Sequence, residues 1–208
     1  MSLFGKIEHP HVGGEVALML LLKAGDKEGA LHVLETPELR PDDFTFRDGS
    51  SRNLSFLMVA VDKQLGDLIV DLLAVPEAIN LVNSEGHTAL MHAVAFKNLP
   101  YIKIITSRGA DVNIRDHRGF SALDYCFKMC GYEITKFMID CGGTIDPGTF
   151  SDAMTEFIVQ YDDPDTVRQL FINYTRNHIY LKPLNIYIDL CNVLSNRPKT
   201  RKYLDSIN

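Results

Sequence analysis

One five-residue motif occurs twice in this chain, and the distance between its copies limits what the chain can fold into. Residues 86–90 read Gly-His-Thr-Ala-Leu, and residues 119–123, which lie 33 positions later, read Gly-Phe-Ser-Ala-Leu. A second motif has the same spacing, since Gly-Ala-Asp-Val-Asn at 109–113 is followed by Gly-Gly-Thr-Ile-Asp at 142–146. A fixed period of roughly 20–50 residues indicates stacked units, each too small to bury its own apolar face. The sequence therefore predicts a repeat array, which usually offers a binding surface.

The same period extends the array towards the N-terminus. Residues 55–60 read Ser-Phe-Leu-Met-Val-Ala and lie 33 positions before residues 88–93, which read Thr-Ala-Leu-Met-His-Ala. Ser55, Thr88 and Ser121 each stand where a hydroxyl group would cap the first helix of a unit. Three units with matching caps are therefore expected.

Proline and glycine mark the second helix of each unit. Pro100 is expected near the start of this helix, because proline is favoured at a first helical position. Gly109 should end it in the left-handed conformation that glycine tolerates. In the preceding unit we expect Pro76 to stop the helix, since proline cannot continue one.

The predicted domain is a single all-α solenoid over residues 1–208, with clear repeats at 50–82, 83–115 and 116–147. A degenerate unit at 13–47 precedes them, and capping helices at 148–208 follow, because terminal units of such arrays are atypical. The segment 37–52 is expected to be an extended finger, and Asp165 to cap a helix near the C-terminus. The helices predicted in the end units are Glu15–Lys23, Lys27–Glu35, Ser151–Gln160, Asp165–Tyr174, Pro183–Leu194 and Thr200–Ile207.

Charge and cysteine usage favour a soluble intracellular protein. The net charge of −6 argues against nonspecific binding of nucleic acid or anionic membrane, which requires a basic face. The four cysteines form no C-x-x-C pair, so neither a zinc site nor a redox dithiol is supported. We expect a cytoplasmic monomer with no cofactor, no membrane span and no cleaved signal peptide. Delivery into a host cell is left open.

The motifs resemble the ankyrin repeat family over about residues 50–147. The likeness rests on the 33-residue period together with Gly-His-Thr-Ala-Leu-Met-His-Ala at 86–93 and Arg-Gly-Ala-Asp-Val-Asn at 108–113. It implies antiparallel helix pairs, short hairpin-like fingers and a concave face that binds a partner protein. The family's histidine one place after the Leu is absent here, since Met58, Met91 and Asp124 hold that position. This departure predicts weaker, more apolar coupling between units.

The resemblance also implies which positions line the concave face. Aromatic, Met and Arg side chains are enriched at interface centres. We hypothesise that Phe96, Phe120 and Met129 form an apolar anchor; the alternative is that Phe96 and Met129 fold back onto the core or lie under a finger. The predicted protein-binding residues are Arg52, Leu54, Lys63, Glu85, His87, Phe96, His117, Arg118, Phe120, Lys128 and Met129. The positions that the resemblance places on the concave face also include Ser51, Asp62, Ser84 and Ala95.

Other candidate sites are weaker. His87 and His92 are five residues apart and should not share a face, so a metal site between them is not expected. His9 and His11 lack a nearby third ligand. His178, Asp189 and Cys191 contain the residue types of a nucleophilic triad, but their spacing has no local signature. The main prediction is thus a non-enzymatic protein-binding module. An adaptor whose C-terminal helices dock a second protein, and an enzyme with a site in 148–208, remain alternatives.

Overall fold

Helices form the architecture of the chain. The computed structural model describes residues 14–34, 48–145 and 152–177. Within those ranges there are eleven helices and no strand, apart from one isolated antiparallel bridge between Arg115 and Ser121. The helices are α1 (Gly14–Ala24), α2 (Lys27–Leu34), α3 (Phe56–Asp62), α4 (Gly66–Leu72), α5 (Pro76–Ile79), α6 (Ala89–Ala95), α7 (Leu99–Ser107), α8 (Ala122–Met129), α9 (Tyr132–Asp140), α10 (Asp152–Tyr161) and α11 (Pro164–Asn177).

The helices stack as successive pairs. In the central units the pairs are α3 with α4, α6 with α7 and α8 with α9. The first helices also contact one another in the order α1, α3, α6, α8, α10, so each unit packs on its neighbours. This is the all-α solenoid that the period predicted.

One apolar interior runs through the stack. It extends from Leu18 in α1 to Tyr174 in α11, and each central unit contributes side chains to it from both of its helices. A unit this small cannot bury its apolar face alone, so the shared interior is what makes the array cooperative. The largest side chains that solvent does not reach are Leu18, Leu22, Phe56, Leu57, Met58, Leu68, Ile69, Leu72, Leu90, Ile102, Ile105 and Leu123.

The hydroxyl caps are confirmed. The side-chain oxygens of Ser55, Thr88 and Ser121 accept a hydrogen bond from the backbone N–H three residues on, at 3.4, 3.3 and 3.3 Å. Ser121 also takes part in a capping box, because the Asp124 carboxylate accepts from the Ser121 backbone N–H at 2.8 Å. These caps fix where each first helix begins, and therefore the register of the whole face.

Polar contacts between units repeat with the period of the sequence. The Ser84 N–H donates to the Arg52 carbonyl at 2.9 Å, and the His117 N–H donates to the Glu85 carbonyl at 3.0 Å. Asn113 joins the next junction, where its Oδ1 accepts from the Thr144 N–H at 2.8 Å. The units are thus joined by directional bonds as well as by apolar packing.

Two local predictions were wrong. Pro76 does not stop a helix, because α4 has already ended at Leu72; Pro76 instead opens the one-turn helix α5. The cap of α11 is Asp163 rather than Asp165, since Asp163 Oδ1 accepts from the Asp165 N–H at 3.2 Å and α11 begins at Pro164. In both cases proline occupies a first helical position, where a backbone N–H would have no partner within the helix, so its absence costs no hydrogen bond.

Some predictions lie outside the described residues. They are the finger over 37–47, the helices over 183–194 and 200–207, and the side chains of His9, His11, His178, Asp189 and Cys191. The proposed repeat and cap boundaries stay predictions. Within the part of the chain that the structure describes, no helix is long and apolar enough to cross a membrane.

Candidate functional site

A groove of about 380 Å³ opens on the face built by the first helices α3, α6 and α8. Its lining is mainly apolar, with a few charged and polar groups. The lining comes from loop residues before the first helices and from side chains of these helices and their C-terminal ends. The lining residues are Arg52, Asp62, Glu85, His87, Met91, His92, Ala95, Phe96, Tyr125 and Met129.

Helical spacing explains why these side chains converge. His92, Ala95 and Phe96 stand at positions i, i+3 and i+4 along and just beyond α6, so they share one face. Tyr125 and Met129 repeat the first and last of these positions one period later in α8. The stacked first helices therefore place equivalent residues side by side.

The predicted binding residues divide into two groups. Arg52, Glu85, His87, Phe96 and Met129 line the groove. The others are not among the lining residues. Leu54 is half-buried against the core, and Lys63 and His117 are exposed. Arg118 and Lys128 lie over the Phe120 ring, which packs against the groove-lining Tyr125. The set as a whole remains a prediction of a binding surface.

The hypothesised apolar anchor is brought together in part. Phe96 keeps 46% of its surface exposed, and it shares the groove with the half-buried Met129. Phe120 does not join them, because the Lys128 Nζ lies 3.5 Å from the centre of its ring and the Arg118 guanidinium lies 5.7 Å away. A cation over an aromatic face is attracted by the ring's quadrupole, so Phe120 is already covered.

A buried histidine links two units at the groove. His92 is 6% exposed, and its Nδ1 lies 2.6 Å from Asp62 Oδ1 at the end of α3. The carboxylate accepts the Nδ1 proton, which leaves Nε2 as the remaining polar atom of the ring. Among the described residues Nε2 has no hydrogen-bond partner. His92 thus provides a polar contact between units from a position next to the one that the family's histidine occupies. The predicted weaker coupling between units stays a prediction.

The expectation that His87 and His92 do not share a face was wrong. Their rings are 6.1 Å apart at an angle of 75°, and both line the groove. His87 stands on the loop before α6, and this loop returns across the helix, which is a tertiary arrangement that sequence spacing does not report. Within the described ranges, no group of three or more His, Cys, Asp or Glu side chains could hold a metal ion.

A carboxylate network supports one end of the groove. Asp116 accepts the Tyr125 hydroxyl proton and the backbone N–H groups of Arg118 and Phe120, both at 2.9 Å. Burial acts to raise the pKa of Asp116, but these hydrogen bonds outweigh it and hold the pKa below its usual range. Burial and the bond to Asp116 raise the pKa of Tyr125 to about 12. Asp116 therefore stays charged and Tyr125 stays protonated at neutral pH.

His87 is placed between two acids. Its Nδ1 lies 3.2 Å from Glu85 Oε2, and its Nε2 lies 3.3 Å from Asp116 Oδ2 and 3.3 Å from the Tyr125 hydroxyl oxygen. The imidazole ring is thus fixed on both sides, and it presents an ordered wall to the groove.

Sequence reasoning missed three lining residues, namely Met91, His92 and Tyr125. Helical spacing was the available signal, because position 92 lies one turn before the predicted residues 95 and 96, and position 91 lies one turn before 95. The 33-residue period then extends the inference from His92 to Tyr125.

A second groove of about 360 Å³ lies on the second helices α7 and α9 and includes Lys103, Phe137 and Cys141. The Lys103 Nζ lies 5.7 Å from the centre of the Phe137 ring, which it partly covers. This surface provides controls for experiments on the first groove.

Comparison with known proteins agrees with the geometry. The family model for ankyrin repeats in three copies matches residues 57–149. Residues 57–149 are ankyrin repeats. The "Ankyrin repeat and SAM domain-containing protein 6" of Rattus norvegicus is 31% identical over 94 residues, which cover 44% of this chain and 10% of that protein. The chain thus spans about a tenth of this relative's length. Ankyrin repeats are generally protein–protein interaction modules, and the family is typically non-enzymatic.

Proposed function

We propose that this chain binds a partner protein through the groove on its first helices, which the family resemblance makes the concave face. The carrying observation is Phe96, a large apolar side chain that remains 46% exposed at the rim of a mainly apolar groove. Aromatic side chains in such positions are typical of binding hot spots. Met129 in the same groove adds a flexible apolar surface that adapts to a partner.

The groove suits an extended segment rather than a flat surface. A volume of about 380 Å³ accommodates a small number of side chains. Its lining combines apolar side chains with fixed polar groups, among them Asp62 and His87, which would orient what enters. The partner is therefore proposed to insert one or two side chains of an exposed peptide segment into the groove.

A selection of displayed random dodecapeptides on the full chain tests this function. Selected peptides are then measured against Phe96→Ala, Met129→Ala and the double variant. Two controls are matched to Phe96→Ala: Leu20→Ala on α1 and Val70→Ala on α4, which remove large exposed apolar side chains far from the groove. We expect peptides whose affinity falls about tenfold or more for the groove variants and stays unchanged for the controls.

Two outcomes of this selection would contradict the proposed function. If no peptide is selected, or if the selected peptides bind the groove variants as tightly as the unchanged chain, the groove is not the binding surface. Loss of binding in Lys103→Ala or Phe137→Ala would instead point to the second groove. Circular dichroism of each variant checks that the fold is retained.

A further inference from the structure

We infer that the groove selects a basic side chain, lysine or arginine, from the partner segment. This inference rests on the proposed function and adds the chemistry of the residue that is recognised. It starts from two carboxylates in the groove, Asp62 and Glu85. In each of them one oxygen contacts a histidine, and the other oxygen can accept a further hydrogen bond.

Asp62 is a fixed acceptor at the groove. Its Oδ1 is bound by the His92 imidazole at 2.6 Å, and its side chain keeps 23% of its surface exposed. Among the described residues Oδ2 has no hydrogen-bond partner, so this oxygen can accept a hydrogen bond from a group that enters the groove. Because the His92 contact already orders the carboxylate, binding would require little further loss of side-chain entropy.

Glu85 provides a second negative charge in the lining of the groove. Its Oε2 lies 3.2 Å from His87 Nδ1, while its side chain remains 55% exposed. A lysine ammonium has three donors and an arginine guanidinium has five, so either can donate to more than one carboxylate oxygen. A neutral hydroxyl or amide donor gains less from this pair of charges.

His92 gives the second, independent observation. It is 94% buried and lines the groove, and its Nε2 has no hydrogen-bond partner within the described ranges. Because Nδ1 is already engaged by Asp62, Nε2 is the remaining polar atom of the ring. A buried polar atom without a partner destabilises the free protein, so a side chain whose entry lets Nε2 form a hydrogen bond would remove that penalty.

The apolar lining fits the stem of the same side chain. Lysine and arginine carry three or four methylene groups, which pack on apolar surface while the charged end reaches polar groups. Met91, Ala95, Phe96 and Met129 provide this surface. The exposed Phe96 ring also attracts a cation that stacks on it.

Arg52 carries the opposite charge at the groove. Its exposure decides whether the fixed charge of the groove is positive or negative. It is an exposed side chain, and it forms no ion pair with any of the described residues. Such a side chain turns towards solvent at little cost, whereas Asp62 is held in place by His92. The fixed charge in the groove is therefore negative, in keeping with the net charge of −6.

The test uses peptides from the display selection that require Phe96. We expect lysine or arginine to be enriched at one position. For a peptide with arginine at that position, citrulline removes the charge while keeping the shape; for lysine, norleucine does the same. On the unchanged chain this replacement should weaken binding about tenfold or more.

A double-mutant cycle then assigns the effect. On Asp62→Asn/Glu85→Gln the same peptide replacement should change the dissociation constant less than about threefold. Asp71→Asn on α4, an exposed acid away from the groove, is the control and should keep the full effect. Asp62→Asn retains an oxygen that can accept from His92 Nδ1, so the contact between units survives. Glu85→Gln likewise retains an oxygen that can accept a hydrogen bond from His87 Nδ1.

Each result decides between the two proposals. Groove-dependent peptides that lack a basic residue, that prefer an acidic one, or that lose the same affinity on the double variant would overturn this inference and leave the proposed function intact. Failure to select any peptide that requires Phe96 would overturn the proposed function itself, and that outcome appears before any citrulline or norleucine peptide is made.

Discussion

His92 Nδ1 and Asp62 Oδ1 are 2.6 Å apart, and this contact joins two successive ankyrin repeats at the groove. The two partners are not equally buried, because His92 is 6% exposed and the Asp62 side chain is 23% exposed. Removing Asp62 leaves a buried imidazole with neither nitrogen paired, whereas removing His92 leaves a carboxylate that water can reach.

This asymmetry predicts unequal effects on stability. Asp62→Ala should lower the free energy of unfolding by about 1–3 kcal/mol, the usual result of leaving a buried polar group unsatisfied. His92→Phe should have a smaller effect, since it also removes the unpaired Nε2. Urea denaturation monitored by circular dichroism measures both, with Asp71→Ala as the exposed control. A larger loss in His92→Phe than in Asp62→Ala would show that the contact does not act in this way.

Gly86 and Gly119 form a second matched pair, since both have φ = +84° at equivalent positions of successive units. A Cβ at Gly86 would lie 2.8 Å from the His117 backbone nitrogen and 2.9 Å from Asp116 Cα, whereas none of the described residues comes within 4 Å of one at Gly119. Alanine at either site should destabilise the fold by about 1 kcal/mol, because a residue with a Cβ is disfavoured in the left-handed conformation. Gly86→Ala should be the more destabilising in thermal unfolding, because it also displaces the next finger. Equal melting temperatures would contradict the close approach.

The finger asparagines give a third comparison. Asn113 makes three bonds to the following unit: Oδ1 accepts from Thr144 N–H and Oγ–H at 2.8 and 2.9 Å, and Nδ2 donates to the Gly142 carbonyl at 3.2 Å. Among the described residues, the side chain of the equivalent Asn80 makes one such bond, which it accepts from the Asp111 N–H at 2.9 Å. Asn113→Ala should therefore lower the free energy of unfolding by about 1–3 kcal/mol, and Asn80→Ala by less. Hydrogen exchange of the Thr144 amide should accelerate in Asn113→Ala alone.

Acid should weaken the attachment of α1. The Asp48 carboxylate is 1% exposed and lies 2.8 Å from Lys23 Nζ. Burial acts to raise its pKa, but hydrogen bonds from Lys23, Ser50 and Leu54 lower the pKa from 3.8 to about 2. The contribution is complete above the unfolded pKa of 3.8 and is lost as the pH falls towards 2.

The shift corresponds to a stabilisation of up to about 2 kcal/mol. Lys23→Met should reduce the free energy of unfolding at pH 7, and its difference from the unchanged chain should shrink between pH 4 and about 2. Denaturation at a series of pH values measures this difference. A gap that stays constant down to pH 2 would mean that the ion pair is not the cause.

Local chemistry made much of the fold predictable. Ser55, Thr88 and Ser121 were recognised as caps because a hydroxyl at the start of a helix bonds a backbone group only three residues away. Gly109 was recognised because a left-handed helix end favours glycine, and its φ is +93°. Such signals depend on neighbouring residues and survive in the sequence.

Contacts between distant residues were harder to predict. The role of His92 depends on Asp62, which lies in another unit, and the covering of Phe120 depends on how Lys128 turns over its ring. Pro76 and Asp165 were misjudged because proline opens a helix as readily as it ends one. An exposed Phe96 was one of two alternatives that the sequence left open, and sequence alone does not show that Phe96 borders a groove.

A methyl NMR spectrum recorded with a display-selected peptide tests the central claim most directly. Met91 and Met129 line the groove, while Met58 and Met138 are fully buried and serve as internal references. If the groove binds the partner segment, saturating peptide should shift the methyl resonances of Met91 and Met129 and leave those of Met58 and Met138 in place. Unchanged Met91 and Met129 resonances at saturation would contradict the account.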